Sequence, residues 1–228
     1  MSKIEFIINK PQLGANIGMS IRAIGCFGFK NFSIISPRHS WPNKEGLNAA
    51  KHFSSIVKKT KVFNSIPEAI KNSDIVIATT VRKRDFNLPE IKINEIQNLQ
   101  FKKLSILFGQ ENNGLNNEEI SHANFITTIP TSNSQSLNLS HSIAITAYSL
   151  SRVKSIKTNK NINKNELKSN EIEAFISFLF QQLDNKNFTT VKSKRIKLEI
   201  NIRNYLKTAN LDKSNLKSIY GITKFLAN

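Results

Sequence analysis

Asn16 and Arg22 stand six residues apart in PQLGANIGMSIR, Glu111 sits in GQENNGL at 109–115, and Ser136 and Asn138 lie in PTSNSQSLNL at 130–139. A fourth segment, Thr79-Thr80-Val81-Arg82-Lys83-Arg84, adds small hydroxyls and a run of cations. These segments supply hydrogen-bonding groups with little bulk, and Gly109 and Gly114 let backbone approach a ligand or take positive φ. The chemistry they suit is binding in a crevice, with the Arg22 guanidinium near it if Asn16 caps a helix that carries Arg22 one to two turns on. Taken singly, each segment is equally an ordinary turn.

Other chemistries lack their parts. His39, His52, His122 and His141 are scattered, with no HExxH and no ligand pair at i, i+4, so no metal site is expected. There is no GxSxG elbow, no GxxxxGK[ST] phosphate loop, and no GxGxxG after the first strand. Cys26, the single cysteine, excludes an internal disulfide, a CxxC pair and a thiolate zinc cluster, and implies a reducing compartment. Between Gly25 and Phe27 it reads as a packing residue, because no neighbouring cation would make a thiolate. His141 directly follows the third loop and reads as a helix-surface or core residue, with a place near the site as the alternative.

Positioning such loops requires a sheet. Strands are predicted at Ile4–Ile8, Phe32–Ser36, Lys61–Phe63, Asp74–Thr80, Leu104–Phe108 and Phe125–Ile129, several apolar on both faces. Helices are predicted near Ile17–Phe27, Lys44–Lys58, Pro67–Asn72, Asn117–His122 and Leu139–Val153. Such alternation implies an α/β domain with a parallel sheet flanked by helices. Ligands then bind outside the carboxyl ends of the strands, where the loops at 79–84, 109–115 and 130–139 fall.

The chain of 228 residues carries 33 Lys plus Arg against 16 Asp plus Glu, a net charge of +17. Such an excess points to a polyanionic partner, although an AT-rich coding sequence would also supply the abundant Lys, Asn and Ile. Residues 1–153 are read as one domain. Residues 154–169 (KSIKTNKNINKNELKS) offer almost nothing to bury and read as a linker. In 170–228, a helix capped by Asn170 and further helices near Val191–Lys207 and Asn215–Leu226 form an all-helical extension. Lys192, Lys194, Arg195, Lys197 and Arg203 cluster within it, dense enough to grip a phosphate backbone, or else a solvated helix face. The apolar start is broken by Glu5 and Lys10, and no run approaches the roughly 18 residues of a membrane span, so a soluble, cytoplasmic protein is expected.

Taken together, Asn16-Ile17-Gly18 with Arg22, Ile106-Leu107-Phe108-Gly109-Gln110-Glu111 with Gly114-Leu115-Asn116, and Ile129-Pro130 with Ser136-Leu137-Asn138-Leu139-Ser140 resemble the three motifs of the SpoU-type RNA ribose 2′-O-methyltransferases of the SPOUT superfamily. Thr79-Thr80-Val81-Arg82 and the helical tail are similar to the TrmJ-type subgroup of tRNA cytidine/uridine methyltransferases. The resemblance implies a C-terminal trefoil knot in the α/β domain, S-adenosylmethionine as cofactor, no metal, a homodimer through the knotted domain, and a target ribose at position 32 of the tRNA anticodon loop. It implies that Thr79, Thr80, Val81, Gly109, Ile129, Gln135, Ser136 and Leu137 hold the cofactor. By the same carry-over, Asn16, Arg22, Glu111, Ser136 and Asn138 surround the reacting ribose. Arg82, Lys83, Arg84 and the tail cations would contact RNA. Gln110, where the subgroup usually has Arg, and Gln135, where it has Tyr or Ser, are departures. A ribosomal RNA methyltransferase of the same fold and a noncatalytic RNA-binding module are the alternatives.

Overall fold

A computed structural model describes residues 3–81, 88–99, 101–152, 167–188, 191–209 and 211–227. The β-branched runs form six strands: β1 (Lys3–Asn9), β2 (Asn31–Ile35), β3 (Lys61–Phe63), β4 (Ile75–Thr79), β5 (Lys103–Phe108) and β6 (Phe125–Thr127). They pair in parallel throughout, in the order β3-β2-β1-β5-β4-β6. Alternation along β1 explains the layering. Ile4, Phe6 and Ile8 face one side of the sheet and Ile7 the other, and all four are buried.

The first face is covered by α1 (Gly14–Cys26), α2 (Lys44–Ala50), α3 (Ser54–Lys59) and α6 (Leu139–Ser151). The second is covered by α4 (Ile66–Ile70) and α5 (Asn117–Ser121), through Ile66, Ala69, Ile70 and Ile120. Side chains cap most of these helices: Asn43 accepts from Gly46 N at 2.9 Å, Asn138 from Ser140 N at 2.9 Å, and Asn116 trades bonds with Glu119 in a reciprocal box at 2.8 Å each. The sheet order turns between β1 and β5, so the crevice of an open α/β sheet falls there.

Three expectations need correcting. Asn16 does not cap α1, which begins at Gly14 after Leu13, a residue that makes no side-chain cap. The helix expected over Lys44–Lys58 is broken into α2, a 3-10 turn at Lys51–Phe53, and α3, because Lys51 takes φ 53°. Cys26 is exposed, not packed: it lies on the same outward stripe of α1 as Met19 and Arg22.

The tail folds as α7 (Ser169–Asn185), α8 (Lys192–Thr208) and α9 (Lys213–Ala227). Its small core joins Ile172, Phe175, Ile176 and Phe180 of α7 to Leu206 and Leu216. Lys168 precedes α7 and its N–H is taken by Glu171 at 2.9 Å, so the cap falls two residues before Asn170. Of the linker read at 154–169, only residues 167–169 lie within the described residues.

The tail docks on the α4–α5 side of the sheet through buried charge. Arg203 is 4% exposed; it reaches Glu173 at 3.1 Å, Glu199 at 2.7 Å and Ser121 Oγ at 3.2 Å. His122 donates from Nδ1 to the same Glu173 at 3.0 Å, and the Lys207 ammonium donates to the His122 carbonyl. Burial alone would raise Glu173, but His122, Arg203 and Lys207 outweigh it and hold the carboxyl at about 2. Burial also lowers His122 and brings Lys207 down to about 8.

Candidate functional site

Gln12 and Leu13 precede α1, and their N–H groups would be orphans there. The carboxylate of Glu111 satisfies them from the loop after β5, with Oε2 at 3.0 Å from Gln12 N and Oε1 at 3.4 Å from Leu13 N. Asn16, in the first turn of α1, adds Nδ2 at 3.0 Å from Oε1. Glu111 thus caps a helix that starts almost a hundred positions earlier in sequence. Three of a carboxylate's roughly four lone-pair directions are filled, which leaves one for a substrate hydroxyl.

The loop carrying Glu111 is held by close backbone approach. A Cβ on Gly109 would stand 2.2 Å from the Gly114 carbonyl carbon, and Gly114 takes φ 63° as Gly114 N bonds to Gln110 O at 3.0 Å. Both glycines are therefore required by geometry. On the far side of this loop from α1 opens a cavity of about 160 Å³. Phe108, Gly109, Leu115, Ile129, Leu137 and Leu139 line it, with Thr79, Thr80, Glu111 and Ser136 among its polar groups. Polar and apolar groups share the lining about equally, which suits a ligand with both an apolar face and hydrogen-bonding edges. Thr79 Oγ1 is taken up by Leu107 O at 3.0 Å, and Thr80 N bonds to Thr127 O at 3.0 Å.

All eight residues that the resemblance assigned to the cofactor, Thr79, Thr80, Val81, Gly109, Ile129, Gln135, Ser136 and Leu137, line this one cavity. Of the five residues expected around the ribose, the chain brings together Asn16 and Glu111, with Ser136 lining the same cavity. Asn138 instead caps α6, its Oδ1 accepting from both Ser140 N and Ser140 Oγ. Arg22 is exposed on α1, about 9 Å along the helix and a third of a turn around from Asn16, and it has no partner among the described residues. Arg22 is not among the residues that line the cavity.

The RNA-contact residues divide. Lys192, Lys194 and Lys197 of α8 are exposed. Arg195 is held by Asp184 at 2.8 Å and Glu199 at 3.0 Å and lies 5.0 Å from the centre of the Phe180 ring. Arg203 is a correction: its guanidinium is spent on Glu173, Glu199 and Ser121 within the seam, so it has no surface to offer a phosphate. Arg82, Lys83 and Arg84 lie outside the described residues. Sequence reading missed the Gln12 and Leu13 amides, Thr131 and Ser142 at the cavity, and the Glu173 network. Only Gly14 after Leu13 hinted that α1 starts early enough to aim its first amides at Glu111.

A parallel sheet with a cavity among the loops after β4, β5 and β6, and a carboxylate pinned beside it at the central switch point, defines a ligand-binding α/β domain. The SpoU rRNA Methylase family matches residues 3–148, and the chain belongs to that family. It is 33% identical over 191 residues to a tRNA (cytidine-2′-O-)-methyltransferase TrmJ of Methanocaldococcus jannaschii, covering 81% of this chain and 82% of that one. The crystal structure of TrmJ from Z. mobilis superposes with TM-score 0.87 at 27% identity over 100% of both chains. The SpoU methyltransferase AviRb from Streptomyces viridochromogenes, in complex with AdoMet, shares the fold at TM-score 0.55 and 15% identity, over 69% of this chain and 60% of that one.

Proposed function

We propose that this chain is an S-adenosylmethionine-dependent tRNA 2′-O-ribose methyltransferase that acts on a cytidine or uridine at position 32 of the anticodon loop. The carrying observation is the placement of Glu111, which borders the cavity on one side and the Asn16 amide on the other. Family membership and the TrmJ relatives support the reaction and the tRNA substrate.

When bound, S-adenosylmethionine supplies an electrophilic methyl group. Gly109, Ile129 and Leu137 would hold it, with backbone groups of the 79–81 and 129–137 loops at its polar edges. The chain's remaining task is to present the ribose 2′-oxygen in line and receive its proton, and most of the rate then comes from positioning. The free lone pair of Glu111 is placed to accept the hydroxyl, while Asn16 and the Gln12 amide fix the carboxylate's angle. Arg22 cannot act as the base, because a guanidinium stays protonated; its role is to steady the developing oxyanion or an RNA phosphate.

Arg22 does so from a second copy. α1 and α6 pack side by side, and their outward stripe exposes Met19 (40%), Ile145 (39%) and Tyr148 (52%) together with Arg22. A homodimer through this face would carry Arg22 toward the partner's site. The path from β6 at the sheet edge back to α6 over α1 suits the trefoil knot of this family. The exposed lysines of α8 would grip tRNA on the opposite side of the sheet, and the cytoplasm, where tRNA is processed, is the corresponding location.

The test is transfer of labelled methyl from S-adenosylmethionine to bulk tRNA and to ribosomal RNA, with nuclease mapping of the labelled nucleotide. Label at position 32 is the expected result. Label at 34 moves the target within the loop, label on ribosomal RNA alone overturns the substrate, and none on either overturns the enzyme.

A further inference from the structure

The connection between β2 and α2, residues 36–43, takes no part in the reading above, yet it is built as a rigid frame. Ser36 donates from N to Phe63 O and from Oγ to Asn64 O, both at 2.9 Å. Asn43 donates from Nδ2 to Ser40 O at 3.0 Å while its Oδ1 caps α2, and the Trp41 ring lies against Gly46, where a Cβ would meet it at 2.2 Å. Arg38 N bonds to Pro11 O at 3.0 Å. From this frame Arg38 and His39 project into solvent, and among the described residues neither side chain has a hydrogen-bond or ion-pair partner.

Their position relates them to the site. Pro11, which anchors Arg38, is followed by Gln12, whose N–H binds Glu111. The loop therefore flanks Glu111 from the β1–β2 side, while the cavity flanks it from the β5–β4–β6 side. With the methyl donor in the cavity on the β5–β4–β6 side, the β1–β2 side is open to a phosphodiester neighbour of a ribose presented to Glu111. Lys10, which directly follows β1, is paired with Glu119 at 2.8 Å. Arg38 is unpaired among the described residues, and a guanidinium's planar fork matches two phosphate oxygens.

We propose that Arg38 and His39 form a phosphate grip for the nucleotide next to the one methylated, setting the register of the RNA over Glu111. The proposal rests on the RNA-methyltransferase reading and adds a substrate-positioning pair to it. A preformed loop suits this use, because little ordering is lost when the RNA binds.

The experiment compares the full-length chain with Arg38→Ala, Arg38→Lys and His39→Ala. Three quantities are read: binding of a tRNA anticodon stem-loop at several salt concentrations, methyl-transfer kcat and KM for tRNA, and calorimetric binding of S-adenosylhomocysteine. Arg38→Ala is expected to raise the stem-loop Kd and the tRNA KM about 5- to 10-fold, with kcat within about 2-fold and S-adenosylhomocysteine binding unchanged. The slope of log K against log salt should become shallower by about 0.7 to 0.9, the value of one phosphate contact, and Arg38→Lys should recover part of both. Unchanged stem-loop affinity and slope in Arg38→Ala overturn the grip, as does an equal loss of S-adenosylhomocysteine binding, which would mark a structural role. Stem-loop binding decides the grip even if wild-type protein transfers no methyl to tRNA, an outcome that would defeat the function and not this contact.

Discussion

Asn16 Nδ2 and Glu111 Oε1 meet at 3.0 Å across 95 positions of sequence. That one bond fastens the first turn of α1 to the loop after β5, and the same carboxylate receives the Gln12 and Leu13 amides. The group best placed for chemistry is thus also the cap of α1, which with α6 is one of the two longest helices on that face of the sheet. Changing it tests both roles at once.

Glu111→Ala leaves the Gln12 and Leu13 amides without their acceptor, so stability should fall by about 1 to 2 kcal/mol. Turnover should fall by about 10²-fold or more as the proton acceptor is lost. Glu111→Gln keeps one carbonyl acceptor for the helix, so its urea midpoint should lie closer to wild type while kcat remains low. A glutamine variant with wild-type kcat would reduce Glu111 to a cap.

Gly109→Ala should separate the cavity from the fold. The added methyl cannot be placed without moving Gly114 and Leu115, whose backbone atoms would lie 2.2 and 2.3 Å from it. Moving that loop displaces the cavity lining but not β5, whose residues Leu104–Phe108 are buried on both faces. Calorimetry should show at least a 10-fold weaker affinity for S-adenosylhomocysteine, with far-UV circular dichroism unchanged. Native affinity would mean that the cavity does not hold the donor.

All six strands and the order of elements along the chain were legible in the sequence, because each strand is a short β-branched run with turn residues on either side. The loops after β4, β5 and β6 were legible as a binding region because they follow strand ends, whereas the particular cavity residues within them came from the motif resemblance. The start of α1 was not legible. Its cap is Glu111, a distant residue, and local rules instead pointed at Asn16, a good capping residue placed one turn too late. Arg203 was misplaced for a different cause: a cation count along α8 cannot distinguish a residue facing Glu173 from one facing water. Position on the helix decides that: Lys194 lies opposite Arg203 and Lys197 a third of a turn from it, and both are exposed.

This division of α8 predicts opposite phenotypes. Lys194→Ala with Lys197→Ala should leave the melting midpoint within about 1 °C, because exposed charges without partners contribute little to stability. The pair should weaken tRNA binding and flatten its salt dependence by about one to two units. Arg203→Ala should instead cost on the order of 3 kcal/mol, since it removes the guanidinium from Glu173 in the seam and leaves His122 as the side chain bonded to that carboxylate. Its first readout is earlier proteolysis of the tail. An Arg203→Ala protein with native stability and a flattened salt slope would return that residue to the RNA surface.

The same seam sets a pH response whose sign follows from its titrating groups. His122 is held below its usual 6.5 by burial, so as pH drops past 6.5 the unfolded chain takes up a proton that the folded seam refuses, and stability falls. Glu173, at about 2 in the fold against 4.5 when free, contributes stability that is present above 4.5 and is lost as pH falls from there toward 2. Urea midpoints should therefore decline from pH 7.5 to 5 and more steeply below 4.5. Hydrogen exchange of α7 and α8 should rise before that of β1 and β5, because the seam opens without breaking the sheet. His122→Gln keeps a side-chain donor for Glu173 and removes the titrating ring, so it should flatten the decline between pH 7.5 and 5 and leave the acid limb in place. A variant that declines in parallel with wild type over that range would show that His122 is not the group that responds.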